Sequence, residues 1–326
     1  MTSTAAHSVR DNGAFAQVTR RLVAEVAAET PVRTGSLIVT LFGDAIAPHG
    51  GSVWLGSLIQ ALAPFGINQR SVRTAVFRLA RDGWIASTQI GRRSFYSLTP
   101  EGRSQFDAAS RRIYAEPRGE WSGSWCLALL SAVPTSDRDN LRKELNWLGF
   151  ASFSANLLAH PAPDTGAIEQ RLAGLPSAAA ILFFDAAAQQ RSAGPLSALV
   201  HEAWRLDDLD ARYRRFLERF RPVLKATAAG APDPADALLC RLILIHEYRK
   251  ILLRDPMLPE ALLPESWNGV AAYQLTRNIY QAVSADAERH LMARFESADG
   301  NLPPAEPRFL QRFGGIDTED DVDHNQ

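Results

Sequence analysis

The stretch that decides the fold runs from Asn68 to Arg93 and reads NQRSVRTAVFRLARDGWIASTQIGRR. It contains six arginines and a single acid, Asp82, although the whole chain has a formal net charge of −1. Successive residues of a helix are turned by about 100°, so a helix that begins after Asn68 separates its arginines from its apolar side chains. This separation predicts that one face packs against the protein and the other meets phosphate groups. The basic face, as we call it, comprises Arg70, Arg73, Thr74 and Arg81, with Arg78 at its margin, and the apolar face comprises Val72, Ala75, Val76 and Leu79.

A second amphipathic helix precedes the basic face and is joined to it by a short turn. Its apolar side chains recur at helical spacing and stop at Pro64-Phe65-Gly66. Two helices joined by a short turn that contains glycine are typical of a helix-turn-helix motif. The apolar stripe of this helix comprises Leu55, Leu58, Ile59 and Leu62.

Two runs with the character of strands follow the basic helix. Residues 84–89 and 94–98 flank Gly91-Arg92-Arg93, and this pattern predicts a β-hairpin with a basic tip. An earlier helix begins at Thr34, whose hydroxyl is suited to cap it, and stops at Pro48. A later helix begins at Thr99-Pro100-Glu101, with threonine at the cap and proline at the first helical position. Together these elements predict a winged helix-turn-helix domain over residues 32–118.

The shortage of acids around these arginines favours DNA binding over an ordinary solvated helix surface. Arginine contacts guanine through two hydrogen bonds in the major groove, and its planar fork also binds phosphate. Phe77 also falls on the basic face, and we expect it to pack under the hairpin rather than to stack on a base. The residues expected to contact DNA are Gln69, Arg70, Ser71, Arg73, Thr74, Arg78, Arg81, Arg92 and Arg93.

Length and composition exclude several classes of protein. A chain of 326 residues is too long for one small domain. No apolar run approaches the length of about 18 residues that indicates a membrane-spanning helix, and residues 1–10 lack the apolar core of a secretory signal. We therefore expect a multidomain, cytoplasmic protein with no membrane partner.

The remaining segments predict a chain that is mainly α-helical with α+β parts. Residues 1–31 form a flexible leader with a helix around residues 15–28. Residues 119–192 alternate strand and helix patterns as a ferredoxin-like βαβ domain does, with the first two strands over residues 124–133 and 150–158. Residues 193–315 carry helical stripes throughout and form a C-terminal helical domain. Residues 316–326 are an acidic tail, which we expect to be solvated; a role in discouraging nonspecific DNA contacts stays open.

Two polar residues point inward on the helix predicted from Leu238 to Leu253. His246 and Arg249 lie within about 40° of its leucine stripe. A buried guanidinium without an anion is costly, so Arg249 requires a carboxylate or the phosphate of a ligand. An internal network with Glu247 or Asp255 and a ligand site are both consistent with this pattern, and the network is favoured.

The order of these parts is accompanied by two specific motifs. They are SVRTAVFRL at residues 71–79 and IHEYRK at residues 245–250, and the second continues through LRDP at 253–256 to WNG at 267–269. In both respects the chain resembles the PaaX family of bacterial transcription regulators, the repressors of phenylacetic acid degradation, from residue 33 to about residue 315. The resemblance implies a repressor of an aromatic (phenylacetate) catabolic operon. It also implies a homodimer that an aryl-acyl-CoA, typically phenylacetyl-CoA, releases from double-stranded operator DNA.

Coenzyme A brings phosphates that favour arginine and an acyl end that favours an apolar slot. The second motif supplies both kinds of side chain. We therefore expect the effector to bind at His246, Tyr248, Arg249, Arg254 and Trp267.

Enzyme motifs are missing from the sequence. His246-Glu247 begins like a zinc-protease helix, but Lys250 stands where the second histidine belongs. The central segment resembles the small CRISPR-associated nucleases of ferredoxin fold, which carry an aspartate at the end of their first strand; here Ser131-Ala132-Val133 occupy that place. We expect no catalytic residue, no metal site and no cofactor. A metal-dependent nucleic-acid-processing enzyme built on the ferredoxin-like domain remains the alternative.

Overall fold

The computed structural model describes residues 13–29, 34–116, 121–161, 163–189 and 192–316. The chain divides into two compact units. The first comprises Met1–Glu116, Arg215–Lys250 and Ala271–Gln326, and the second comprises Pro117–Arg214 and Ile251–Val270. Residues 1–12 and 30–31 of the predicted leader, and the acids of the predicted tail from residue 317 onward, lie outside the described residues. Within the described ranges, no helix is both long and apolar enough to cross a membrane.

The first helix, α1 (Gly13–Ala28), lies within the segment predicted as a flexible leader. Its side chains Phe15, Leu22 and Val26 are buried. Burying an apolar side chain of this size stabilises a fold by about 1.5–3 kcal/mol relative to leaving it exposed. This part of the leader is therefore a packed helix, as the helical pattern of residues 15–28 predicts.

The remaining elements before residue 116 follow the predicted order, with one additional short strand, β1 (Ser52–Trp54), that the sequence analysis did not predict. The apolar helix that begins at Thr34 is shorter than predicted, because the chain widens into a π-helical turn at Phe42–Ile46. The elements are α2 (Thr34–Leu41), β1 (Ser52–Trp54), α3 (Leu55–Leu62), α4 (Gln69–Arg81), β2 (Ile85–Ile90), β3 (Arg93–Leu98) and α5 (Pro100–Ile113).

Helix α4 begins where the sequence predicts. The side chain of Asn68 accepts a hydrogen bond from the backbone N–H of Ser71 at 2.9 Å and so caps the helix. The turn before it contains Gly66 with a φ of 70°, a left-handed conformation that glycine adopts without strain. The side chains that α4 buries are Val72, Ala75 and Val76. The helix therefore packs through its predicted apolar face.

Strands β1, β3 and β2 form an antiparallel sheet in that order. Strands β2 and β3 pair from Ile85 opposite Leu98 to Ile90 opposite Arg93. The chain turns between them at Gly91, whose φ is 60°. The hairpin predicted from the sequence is therefore confirmed, with its basic residues at the tip.

The second unit combines a sheet with helices. It contains β4 (Ser124–Leu129), α6 (Thr135–Trp147), β5 (Ala151–Ser152), β6 (Leu157–His160), α7 (Thr165–Leu172), β7 (Leu182–Ala187) and α8 (Ala193–Ala203). The four strands form one sheet in the order β5-β6-β4-β7, and all neighbours are antiparallel. Its core includes Ala128, Leu141, Leu145, Leu158 and Ile168, from β4, α6, β6 and α7.

Two strand lengths differ from the predicted ones. The first strand, predicted over residues 124–133, ends at Leu129. The strand predicted over residues 150–158 is divided into β5 and β6, because a tight turn lets the N–H of Phe153 donate to the carbonyl of Leu157 at 2.8 Å. This turn could not be recognised from hydrophobicity, because it contains the apolar residue Phe153.

The rest of the chain is largely helical. Its elements are α9 (Leu206–Thr227), α10 (Pro234–Leu252), α11 (Asn268–Arg294), β8 (Glu296–Ser297), β9 (Gly300–Asn301) and α12 (Pro307–Leu310). Each of the helices α9, α10 and α11 has residues in both units. The prediction that Leu253 belongs to the buried stripe of α10 is wrong, because the helix ends one residue earlier and Leu253 is 45% exposed.

Candidate functional site

The basic face of α4 is open to solvent. All four of its arginines are exposed, as is Thr74. Arg81 forms an ion pair with Asp82, with Nη2 and Oδ1 3.2 Å apart. In the part of the chain that the structure describes, no acid pairs with Arg70, Arg73 or Arg78. Exposed positive charge without acids attracts a polyanion.

The neighbouring polar residues support these arginines. When the amide oxygen of Gln69 faces Arg73, it accepts hydrogen bonds from Nη2 at 2.8 Å and from Nε at 3.1 Å. The hydroxyl of Thr74 donates to the carbonyl of Arg70 at 3.0 Å. Ser71 is half-buried, and its N–H is held by the helix cap. Gln69 thus limits the freedom of Arg73 while leaving it at the surface.

The prediction that Phe77 packs under the hairpin is wrong. Its side chain is 67% exposed. Residue 77 lies four positions after Arg73, so it is turned by only about 40° from that arginine. The packing of α4 through Val76 therefore leaves Phe77 on the basic face.

The two arginines at the hairpin tip have different environments. Arg92 is exposed. Arg93 is half-buried, and its Nη2 donates to Oε2 of Glu296 at 2.6 Å. The guanidinium of Arg93 also lies 4.0 Å from the centre of the Trp54 ring. Arg92 is thus the tip arginine that faces solvent, whereas Arg93 holds the hairpin.

The inward-pointing pair on α10 forms the expected internal network, but not with the expected acids. Nδ1 of His246 lies 2.9 Å from Oγ1 of Thr40. Nε of Arg249 donates to the same oxygen at 2.8 Å, and its Nη2 donates to the carbonyl and hydroxyl of Ser36, both at 2.8 Å. Two side chains of α10 are therefore bonded to α2.

The partners predicted for this pair bond elsewhere. The carboxylate of Glu247 lies 3.3 Å from Arg219 and accepts from Lys250 at 3.0 Å. Asp255 accepts from the hydroxyl of Tyr213 at 2.6 Å. Burial, with the positive charge of Arg249 beside it, lowers the pKa of His246 to about 3. His246 is therefore neutral at neutral pH.

The other residues predicted for an effector lie in different surroundings. Tyr248, in the first unit with His246 and Arg249, is buried, and its ring centre lies 5.7 Å from that of Phe216. Arg254 and Trp267 belong to the second unit. Arg254 is exposed, and the half-buried Trp267 meets Tyr213 edge to face at 5.6 Å.

The structure contains a buried charged cluster that the sequence analysis missed. Arg241 is fully buried on α10, with Nε 2.9 Å from Oδ2 of Asp44 and Nη1 2.6 Å from Oε1 of Glu288. The other oxygen of Glu288 lies 2.8 Å from Nε2 of His49. Burial alone would raise the pKa of Glu288, but Arg241 and the hydrogen bond of His49 outweigh it and lower the pKa to about 2.

A second arginine completes this cluster. Nη1 of Arg312 donates to the backbone carbonyl of Asp44 at 2.8 Å and to the hydroxyl of Tyr280 at 2.7 Å. The hydroxyl of Tyr114 donates to Oδ1 of Asp44 at 2.7 Å. The sequence does contain one sign of this cluster, since Arg241 stands inside the apolar run LLCRLILI at residues 238–245. A charged residue in such a run indicates a buried charge that requires partners. The cluster joins the π-helical turn after α2 to α10, α11 and the residues after α12.

Comparison with known families decides what kind of protein carries these surfaces. The chain matches the PaaX-like protein family over residues 33–102, the PaaX protein central Cas2-like domain over residues 118–197 and the PaaX-like protein C-terminal domain over residues 204–293. The chain belongs to the PaaX family. A curated PaaX relative, the transcriptional repressor PaaX of Escherichia coli (strain K12), is 38% identical over 297 residues, covering 90% of this chain and 93% of the relative.

A solved structure, that of the uncharacterized protein Rv0674 from Mycobacterium tuberculosis, is also similar. It is 21% identical, with a TM-score of 0.48, and the alignment covers 72% of this chain and 89% of the other.

PaaX membership assigns the chain to the transcriptional repressors and not to the enzymes. The basic face and the hairpin tip both lie within the first matched PaaX region, and His246 and Arg241 lie within the third. Among the described residues, no three His, Cys, Asp or Glu side chains come together as a metal site requires.

Proposed function

We propose that this repressor binds operator DNA through a winged helix-turn-helix in which α4 is the recognition helix. The observation that carries the proposal is the exposed basic face of α4, where Arg70, Arg73 and Arg78 have no acid partner among the described residues. Helix α3, the turn at Gly66 and the β2–β3 hairpin stand in the order that such a domain requires.

The proposed contacts divide by chemistry. Arg70 and Arg73 approach base edges in the major groove, where an arginine pairs with the two acceptors of guanine. Arg78, Arg81 and the exposed Arg92 of the hairpin tip meet phosphates. Arg93 is already paired with Glu296, so Arg92 is the tip residue that reaches the backbone. Gln69, Ser71 and Thr74 complete the contact surface at the start of α4.

We also propose that the central segment, residues 119–192, is a ferredoxin-like domain between the DNA-binding domain (32–118) and a C-terminal helical domain (193–315). The strand order β5-β6-β4-β7 with antiparallel neighbours supports this. One recognition helix reads few base pairs, so two protomers on an inverted repeat supply the length of a specific site. The repressor is thus a cytoplasmic homodimer, with its protomer contacts in the central and helical domains.

The effector in this proposal is an aryl-acyl-CoA such as phenylacetyl-CoA, and the target is a phenylacetate catabolic operon. Arg254 and Trp267 offer a cation and an aromatic ring to this ligand. His246, Tyr248 and Arg249 are expected at the same site from the sequence. The bonds of His246 and Arg249 to α2 give these two a role in positioning α2, and the buried Tyr248 packs against Phe216. Release requires the ligand to prefer the arrangement that does not bind DNA.

Selection of bound duplexes from a random DNA pool tests the proposal without a known operator. We expect enrichment of an inverted repeat that binds two protomers, measured by sequencing and by light scattering of the complex. Phenylacetyl-CoA should then release the selected duplex, and phenylacetate or coenzyme A alone should not. A pool without enrichment, or one protomer per selected site, contradicts the proposal.

A further inference from the structure

A cavity of about 280 Å³ lies in the first unit, beside the helix that precedes the proposed recognition helix. Ser57, Gln60 and Ala61 of α3 and Pro64 of the following turn form one wall. The opposite walls come from α2, α10, the last turns of α11 and the residue that follows α11. Their lining side chains are Leu41, Ala235, Leu238, Leu239, Leu242, His290, Arg294 and Phe295.

The lining is mostly apolar, with uncharged polar side chains at Ser57 and Gln60 of α3 and basic side chains on α11. Leu238, Leu242 and Phe295 are buried, and their surface suits an aromatic or aliphatic group. His290 and Arg294 stand one helical turn apart on α11, and the lining contains no acid. Burial, with Arg294 nearby, lowers the pKa of His290, so the lasting positive charge at this side is that of Arg294. An apolar slot beside one cation suits an acyl group whose polar end is a carbonyl or an anion.

The size of the cavity restricts which part of such a ligand enters it. Sites that enclose a whole drug-sized ligand measure about 300–1,000 Å³. A cavity of about 280 Å³ therefore holds the acyl end of an acyl-CoA and leaves the nucleotide part outside. Arg294 is exposed at its edge, where it can meet the carbonyl or a phosphate of the part that remains outside.

The position of the cavity connects a ligand to the DNA-binding helices. Ala61 lies in the last turn of α3, and Pro64 lies in the turn that joins α3 to α4. A group that enters between them and α10 therefore pushes on the chain that carries the basic face. Leu41 and Leu242 also line the cavity. Leu41 follows Thr40, and Leu242 stands one turn before His246. The hydrogen bond between Thr40 and His246, which joins α2 to α10, therefore lies next to the cavity.

We infer that this cavity receives the acyl end of the effector, with Arg294 at its edge, and that its occupation displaces α3 and α4 from the arrangement that binds DNA. The inference rests on the proposed release by an aryl-acyl-CoA and gives that release a site. It stands in place of the site proposed above at Arg254 and Trp267, because neither of these residues lines the cavity.

The first test compares one substitution inside the cavity with the same substitution outside it. Ala61→Phe fills the cavity, whereas Ala63→Phe places the ring at an exposed position of the next turn. Calorimetry measures the binding of phenylacetyl-CoA and of coenzyme A to each full-length chain. We expect Ala61→Phe to weaken phenylacetyl-CoA binding by about tenfold or more and to remove its advantage over coenzyme A. Ala63→Phe should keep that advantage.

The second test uses surface arginines and does not depend on repacking. Arg294→Gln is compared with Arg289→Gln on the same helix, where Arg289 pairs with Asp286 away from the cavity. Release of the selected duplex by phenylacetyl-CoA should require about tenfold more ligand for Arg294→Gln only. An unaltered chain that binds DNA but not phenylacetyl-CoA overturns the proposed effector and this site together. Normal release with normal discrimination in Ala61→Phe and Arg294→Gln overturns the site alone.

Discussion

The arginines of this chain occupy two contrasting environments. On α4, Arg70, Arg73 and Arg78 are exposed and have no acid partner among the described residues. In the buried cluster, Arg241 and Arg312 are enclosed, and both contact Asp44. The same side chain therefore serves an external anion in one region and an internal carboxylate in the other.

The difference follows from the cost of removing a charge from water. An enclosed guanidinium loses its hydration and requires acids and hydrogen-bond acceptors nearby. An exposed guanidinium keeps its hydration, so it needs no partner in the free protein and stays available for phosphate. Substitutions in the two environments should therefore have different consequences for stability and for DNA binding.

Removal of the shared acid should be the most costly change. Asp44→Ala removes the carboxylate that offsets the buried positive charges of Arg241 and Arg312. Breaking a buried ion pair lowers the free energy of unfolding by about 3–5 kcal/mol. Denaturation in urea measures this cost. The matched control is Asp82→Ala, which breaks the exposed pair with Arg81 and should change stability by about 0–1 kcal/mol. Equal costs for the two variants would refute the distinction between the two environments.

Acid should weaken the bonded pair between α2 and α10. The pKa of His246 in the folded chain is about 3, whereas that of an unfolded histidine is about 6.5. The unfolded chain therefore binds more protons between these values, and the free energy of unfolding falls as the pH falls below about 6.5. Between pH 7.5 and pH 5 this histidine alone should account for a loss of roughly 2 kcal/mol.

The variant His246→Gln isolates this contribution in urea denaturation at several pH values. In this variant the free energy of unfolding should fall less between pH 7.5 and pH 5 than it does in the unaltered chain. His290→Gln is the comparison variant, since burial also lowers the pKa of His290. An unchanged pH dependence in His246→Gln would show that the neutral state of His246 does not stabilise the fold.

The sequence predicts features that depend on neighbours within a few residues. Asn68 caps α4, Thr99 caps α5 through a bond of 2.9 Å from the N–H of Gly102, and Gly91 turns the hairpin. The exposure of the α4 arginines could be predicted for the same reason, because the face on which a helical residue lies depends only on its spacing from its neighbours. These local patterns predict most of the helices and strands before residue 116.

Side-chain contacts between residues that are far apart in the chain could not be predicted from the sequence, because residue spacing carries no information about them. Arg93 meets Glu296, which is 203 positions away, and Arg312 meets Asp44 at a separation of 268 positions. Nothing in the spacing of either arginine distinguishes it from Arg92. The partner of Arg249 was misassigned for a similar reason, because acids were considered and the hydroxyl groups of α2 were not.

The hairpin tip allows the comparison to be repeated with adjacent residues. Arg92→Ala should weaken binding to all duplexes and reduce the salt dependence of binding by about one phosphate contact. Arg93→Ala removes the bond to Glu296 and the contact with Trp54, so it should reduce stability and leave the salt dependence unchanged. Fluorescence anisotropy at several salt concentrations and urea denaturation separate the two effects. The reverse pattern would assign the phosphate contact to Arg93.

The smallest predicted effect concerns Phe77, an apolar group within the basic face. Its exposure and position beside Arg73 suit contact with the methyl group of a thymine in the major groove. Replacing that thymine by deoxyuridine should cost about 0.8 kcal/mol, the value of one buried methylene-sized group. The same replacement should cost nothing in Phe77→Ala. A deoxyuridine scan that affects both proteins equally would exclude the contact.

The salt dependence of operator binding tests the central claim, that the exposed arginines of α4 and the hairpin tip bind DNA. The variant Arg70→Ala, Arg73→Ala, Arg92→Ala is compared with Arg205→Ala, Arg214→Ala, Arg308→Ala, which removes exposed arginines that already pair with acids. We predict that the first variant loses affinity by about a hundredfold or more and that its salt slope falls by about one for each phosphate contact removed, while the second keeps both. Wild-type affinity and slope in the first variant would contradict the account.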